Sequence, residues 1–162
     1  MRKYYFALIS LMVLISISTY SQNFTIDIDD NAGLQYQNNI YHITNDSLTI
    51  KGKSDYGRSN VDYLKRKLTT SEKKQIEKIA AVFPADSLKE TYFNEYSNFD
   101  YISAEHFPRV IEVTIQKQKK TIHTKTTNAY VYLLADLFNQ LNFLFPPEVN
   151  IKYDKSKFNA MY

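Results

Sequence analysis

The chain reads as an α+β domain in two layers, a mostly antiparallel sheet with two main helices packed on one face. Three observations predict this. Short segments alternate apolar and polar residues, as in Phe24-Thr25-Ile26-Asp27-Ile28 and Ile111-Glu112-Val113-Thr114-Ile115, the period-2 mark of a strand with one buried face. Two longer segments, around Ile76 and around Leu134, repeat apolar residues at helical spacing. The order of strands, helix, strand pair and helix gives each helix one apolar stripe that a sheet face can cover.

The first strand runs through Phe24, Ile26 and Ile28. Asp29-Asp30-Asn31-Ala32-Gly33 reads as a turn cluster, after which Leu34 and Tyr36 resume the alternation. Ile40 to Thr44 and Ser47 to Lys51 read as a hairpin around Asn45-Asp46, without the usual glycine. Gly52 to Asn60 is the most loop-like stretch, and Val61 to Leu68 reads as a further strand.

Thr69-Thr70-Ser71-Glu72 fits a capping box, in which the Thr69 hydroxyl and the Glu72 carboxylate each accept the other's orphan backbone amide. Ile76, Ile79, Ala80 and Phe83 then share one helical face, and Pro84 blocks continuation. Asp86-Ser87 caps a short second turn through Leu88 and Tyr92. Ile111, Val113 and Ile115 form a strand, Lys117 to Lys120 a charged hairpin tip, and Thr121 to Thr126 the returning strand. The last helix is predicted from Asn128 to Phe145, with Val131, Leu134, Phe138 and Leu141 on its apolar face and Pro146-Pro147 ending it. Val149, Ile151 and Tyr153 alternate once more, an extended segment lying along the body.

Met1-Arg2-Lys3 is basic, Tyr4 to Ile17 is almost wholly apolar, and Thr19-Tyr20-Ser21 places small residues before Gln22. These are the three parts of a secretory signal. Residues 1–21 are therefore expected to be a signal peptide and residues 22–162 a single domain, exported to the periplasm or beyond the cell. If the apolar run is not cut, it is the chain's one expected membrane contact. No repeat or linker divides the remainder, whose length suffices for a real core.

The net charge of +3 reflects 20 Lys and Arg against 17 Asp and Glu, and loss of Arg2 and Lys3 leaves 18 against 17. That balance argues against nucleic acid as a partner, although Lys65-Arg66-Lys67 and Lys117, Lys119, Lys120 and Lys125 form basic clusters. With no cysteine, disulfide staples, thiolate chemistry and lipid attachment at a cysteine are excluded. Fourteen Tyr and ten Phe with no Trp assign the packing to large aromatic side chains, many with a polar tip. The preference for Lys, Asn, Ile and Tyr over Ala and Gly is the composition an AT-rich bacterial genome encodes.

Asp27, Asp29 and Asn31 place oxygens at alternate positions, as a calcium loop does. Gly33, however, falls one place late and Asn38 stands where a bidentate Glu is needed. His42, His106 and His123 share no metal-ligand spacing, so neither a metal nor another cofactor is expected. No nucleophile elbow or phosphate-cradling glycine loop occurs. The strongest acid–base cluster is Asp100, Glu105 and His106, two carboxylates and an imidazole close in sequence. The densest aromatic run contains Tyr92, Tyr96, Phe99 and Tyr101, rigid side chains suited to a protein-binding patch. The expectation is a non-enzymatic exported module that binds a protein or envelope component, of the inhibitor or immunity type. The alternative is a small exported hydrolase acting through Asp100, Glu105 and His106.

Overall fold

A computed structural model describes residues 24–31, 38–53, 61–93, 109–117 and 119–155. Among them are strands β1 (Phe24–Asn31), β2 (Asn38–Thr44), β3 (Ser47–Lys53) and β4 (Val61–Lys67), then helix α1 (Thr70–Val82). The short strand β5 (Thr91–Phe93), strands β6 (Val110–Lys117) and β7 (Lys120–Thr127) and helix α2 (Tyr132–Leu141) follow. The strands form one sheet in the order β4-β3-β2-β1-β6-β7-β5. Every neighbouring pair is antiparallel except β5 and β7, which are parallel. The fold is α+β, built on a mostly antiparallel sheet.

β1 is the central strand, paired with β2 on one side and β6 on the other. Its alternation is literal, with Phe24, Ile26, Ile28 and Asp30 buried and Thr25, Asp27, Asp29 and Asn31 partly exposed. Tyr41, Ile43, Leu48, Ile50, Ile111, Val113 and Ile115 extend the buried face, and Ile76, Ile79 and Phe83 from α1 and Leu134, Leu137, Phe138 and Leu141 from α2 belong to the same cluster. Each such aliphatic side chain contributes about 1.5–3 kcal/mol on burial. Phe24, Ile26 and Ile115 meet Ile79, Phe83 and Leu137 around a residual gap of about 10 Å³, room for one water at most.

Local signals explain most of the boundaries. The Thr69–Glu72 capping box forms in both directions and starts α1. The β2–β3 turn needs no glycine because the Thr44 hydroxyl accepts from the amides of Asp46 (3.2 Å) and Ser47 (3.0 Å). Asn45 fixes that turn to β1, its side-chain oxygen accepting from the Phe24 amide at 2.8 Å.

Four expectations are corrected. Asp29, Asp30 and Asn31 are strand, not turn, because the buried Asp30 carboxylate has a guanidinium partner in Arg109. Gly52 belongs to β3 and not to a loop: the Tyr63 ring lies over it, where a Cβ would stand. After α1 only Ala85–Ser87 form a helical turn, and Tyr92 lies in β5. α2 begins at Tyr132, four residues later than expected, since Asn128 is left-handed (φ 49°). The Tyr153 hydroxyl then accepts from the Val131 amide (3.0 Å) and donates to the Ala129 carbonyl (2.7 Å), holding the lead-in extended. Ile151 and Tyr153 are buried outside the sheet in a tail along the body, whereas Val149, also buried, ends the helical turn Pro147–Val149 and is not extended. Leu34 and Tyr36 lie outside the described residues.

The registers place the C-terminal ends of β1, β3, β5 and β7 and the N-terminal ends of β2, β4 and β6 at one end of the sheet. Segments 32–37, 54–60 and 94–108 all attach there. Among the described residues no helix is long and apolar enough to cross a membrane.

Candidate functional site

The end of the sheet to which segment 94–108 attaches is organised by Arg109. Its Nε and NH2 donate to the two carboxylate oxygens of Asp30 at 2.9 and 2.6 Å, and its NH1 donates to the Lys152 carbonyl at 2.6 Å. The Asp30 side chain is 8% exposed and that of Arg109 16%, so water screens the pair little. The backbone is pinned as well. The Arg109 amide donates to Asn128 Oδ1 (2.9 Å) and the Asn128 amide to the Arg109 carbonyl (3.0 Å). Asn tolerates the left-handed backbone that this reciprocal contact needs.

Above this ion pair stands an aromatic series. The fully buried Phe138 meets Tyr153 edge-on at 5.2 Å, and Tyr153 stacks on Tyr130 at 5.1 Å and 15°. Tyr130 meets Tyr132 edge-on at 5.1 Å and 86°. The Arg109 guanidinium lies 5.8 Å from the Tyr153 ring centre. Tyr132 is 67% exposed, and its hydroxyl accepts from Lys155 Nζ at 2.8 Å. A large ring is thus held outward by contacts on two sides, and exposed aromatic anchors of fixed rotamer are what binding surfaces use.

Among the described residues of this end, two buried tyrosine hydroxyls and one carboxylate are committed to internal contacts. Burial pushes the Tyr153 hydroxyl up to about 12, against the Val131 amide bond that lowers it. Burial likewise pushes Tyr41 up to about 12; its hydroxyl donates to the Val149 carbonyl at 2.8 Å and accepts from Asn39 Nδ2 at 3.3 Å. Both are neutral hydrogen-bonding groups near pH 7. Asp30 has both oxygens taken by Arg109 and so offers no lone carboxylate for acid–base work.

The open face of the sheet carries a polar row. His42 Nδ1 lies 2.5 Å from Asp27 Oδ1, and Thr114 Oγ1 lies 3.1 Å from His123 Nδ1. The registers put His42, Asp27, Thr114 and His123 side by side across four strands. The two histidines are therefore three strand spacings apart, roughly 14 Å, too far to share a metal ion. Asp27, Asp29 and Asn31 sit at alternate positions of one straight strand, which cannot wrap a cation as a calcium loop does. Among the described residues no group of three or more His, Asp and Glu could hold a metal.

The basic clusters are divided among separate contacts. Arg66 donates to both oxygens of Glu72 (2.9 and 2.7 Å) and to the Leu144 carbonyl (3.0 Å). Lys117 Nζ donates to the Ala80 carbonyl in the last turn of α1 at 2.7 Å, where the helix dipole favours a cation. Lys120 pairs with Asp86 (2.5 Å) and Lys125 with Glu112 (2.8 Å).

Of the aromatic residues singled out in the sequence, Tyr92 is half-buried at the β5 edge, and its hydroxyl accepts from the Lys89 amide at 2.9 Å. Its polar tip is used locally, while its neighbour Phe93 is 49% exposed. Tyr96, Phe99 and Tyr101, and the acid–base candidates Asp100, Glu105 and His106, lie outside the described residues. Sequence reasoning missed Tyr130, Tyr132, Tyr153 and Arg109. The signal available was Tyr130-Val131-Tyr132 before an apolar helix, with Tyr153 ending the last alternation. Comparison with protein-family models, curated proteins and solved structures finds no match for this chain.

Proposed function

We propose that this chain is an exported bacterial binding module, with residues 1–21 as its export signal, that recognises a protein or an envelope component without catalysing a reaction on it. The binding surface is the tyrosine-rich end of the sheet, with Tyr132 as its anchor. The observation that carries this reading is the rise of one aromatic series from buried Phe138 to the exposed Tyr132, which Tyr130 and Lys155 hold in place. A rigid aromatic at the surface loses little entropy on binding, and Tyr and Arg are enriched among residues that dominate interface energies. Segment 94–108, with Tyr96, Phe99 and Tyr101, attaches beside this series, between Phe93 and Arg109.

A photoreactive phenylalanine analogue at position 132 tests the surface in the native envelope. One crosslinked species, lost when unmodified protein competes, supports it. No adduct at 132 while a probe at Val82, exposed on α1, gives one would overturn it. Mass spectrometry of the mature N-terminus tests export separately, with Gln22 as the expected first residue.

A further inference from the structure

The sheet has a second surface with defined chemistry, the outer edge of β4. The Leu68 amide donates to the Asp46 carbonyl at 2.9 Å, and Leu48 stands opposite Arg66 and Ile50 opposite Leu64 in the same register. In an antiparallel ladder, bonded pairs alternate with non-bonded pairs. Leu64, Arg66 and Leu68 therefore spend their main-chain groups on β3, and Lys65 and Lys67 turn theirs outward. β4 is the terminal strand of the sheet among the described residues. Of the outward groups, the Lys67 carbonyl takes a long bond of 3.3 Å from Arg66 NH1. The Lys65 amide and carbonyl and the Lys67 amide face away from the sheet.

The flanks of this edge differ in character. On the open face Lys65 and Lys67 are exposed, opposite Thr49 and Ser47. On the other face Leu64 is partly buried against the core and Arg66 is paired with Glu72. The register shifts at Tyr63, where β4 bulges, so the regular edge spans Leu64 to Leu68. Lysines on an edge oppose pairing with like strands. A second copy of β4 would set Lys65 and Lys67 against the same lysines, and like charges directly opposite are destabilising.

We propose that the β4 edge accepts one short extended segment of a partner protein, in which acidic residues alternate with aliphatic ones. The acidic side chains lie opposite Lys65 and Lys67, the aliphatic ones cover Leu64, and the partner's main chain pairs with Lys65 and Lys67. Strand addition of this kind takes affinity from main-chain bonds and specificity from alternate side chains. This surface is separate from Tyr132.

The test is amide hydrogen exchange of the 15N-labelled protein with an acetylated, amidated (Val-Glu)4 peptide. In the free protein the Lys65 and Lys67 amides exchange faster than those of Leu64, Arg66 and Leu68. Peptide slows Lys65 and Lys67 at least tenfold and leaves the other three unchanged. The doubly substituted Lys65→Glu, Lys67→Glu protein, checked for an unchanged circular dichroism spectrum, loses this response and gains one to (Val-Lys)4. Tyr132→Ala leaves it intact, which separates this proposal from the surface proposed above. No added protection at Lys65 and Lys67 would overturn the proposal. So would equal binding by a (Val-Glu)4 peptide N-methylated at every residue, which keeps its charge but cannot complete the ladder.

Discussion

Arg109 grips the carboxylate of Asp30 through two nitrogens, at 2.9 and 2.6 Å, across 79 positions of chain. The contact joins the end of β1 to the entrance of β6 and supplies the floor beneath Tyr153. Removing one partner leaves a charge with little access to water, at a cost on the order of 3–5 kcal/mol. Arg109→Met and Asp30→Asn should each lower unfolding free energy by that order in urea titration. A loss below about 1 kcal/mol, the range of surface pairs, would show that the pair does not hold this end together.

Tyr153 satisfies two backbone groups with one hydroxyl, the Val131 amide and the Ala129 carbonyl. Tyr153→Phe keeps the ring stack and orphans both, so a loss of about 1–3 kcal/mol is expected. Its Tyr130 and Phe138 contacts should persist by nuclear Overhauser effects. An unchanged melting temperature would mean that water replaces the hydroxyl without penalty.

Alkaline stability follows from the same hydroxyl and from Tyr41. Both ionise near 12 in the folded protein, against an ordinary 10, because burial disfavours the phenolate. A raised pKa for a neutral acid means that the unfolded chain loses its proton first. The stabilising contribution is therefore complete below pH 10 and lost as pH rises from 10 to 12. Unfolding free energy measured across that window should fall, and less steeply in Tyr153→Phe. Equal slopes would contradict the assignment.

Glu72 makes the opposite prediction at low pH. The Arg66 hydrogen bonds, aided by Thr69, hold its carboxyl down to about 2 against an ordinary 4.5. Its contribution is present above 4.5 and lost as pH falls from 4.5 to 2. Glu72→Gln removes the Arg66 charge pair and weakens the capping box, at about 1 kcal/mol at pH 7, and should flatten the acid limb. An acid limb identical to that of the unsubstituted protein would place the titration elsewhere.

What was legible in the sequence is what local chemistry controls. The period-2 runs of β1 and β6, the Thr69–Glu72 box and the Pro84 stop depend on neighbours within a few residues, and each appears in the structure. The failures depend on partners far along the chain. Asp29-Asp30-Asn31 reads as a turn until Arg109 is seen to neutralise Asp30. Gly52 reads as a loop until Tyr63 is seen across it. Asn128 reads as a helix start because its left-handed backbone and the Tyr153 contact are tertiary facts. At the candidate site, Tyr92 was legible as aromatic surface but spends its hydroxyl on Lys89. The local signal at Tyr132, a Tyr130-Val131-Tyr132 run before an apolar helix, acquires its meaning only where Tyr130 and Tyr153 come together in space.

The central claim is that Tyr132 anchors a partner at the tyrosine-rich end of the sheet. Its most direct test compares partner capture by the native protein and by Tyr132→Ala, each crosslinked in the envelope that produces it, with melting temperatures measured in parallel. An exposed ring contributes little to folding, so the melting temperature should move by no more than about 0.5 kcal/mol of stability implies. Loss of an interface anchor costs about 2 kcal/mol or more, so capture should fall at least tenfold. Undiminished capture with an unchanged melting temperature would contradict the claim.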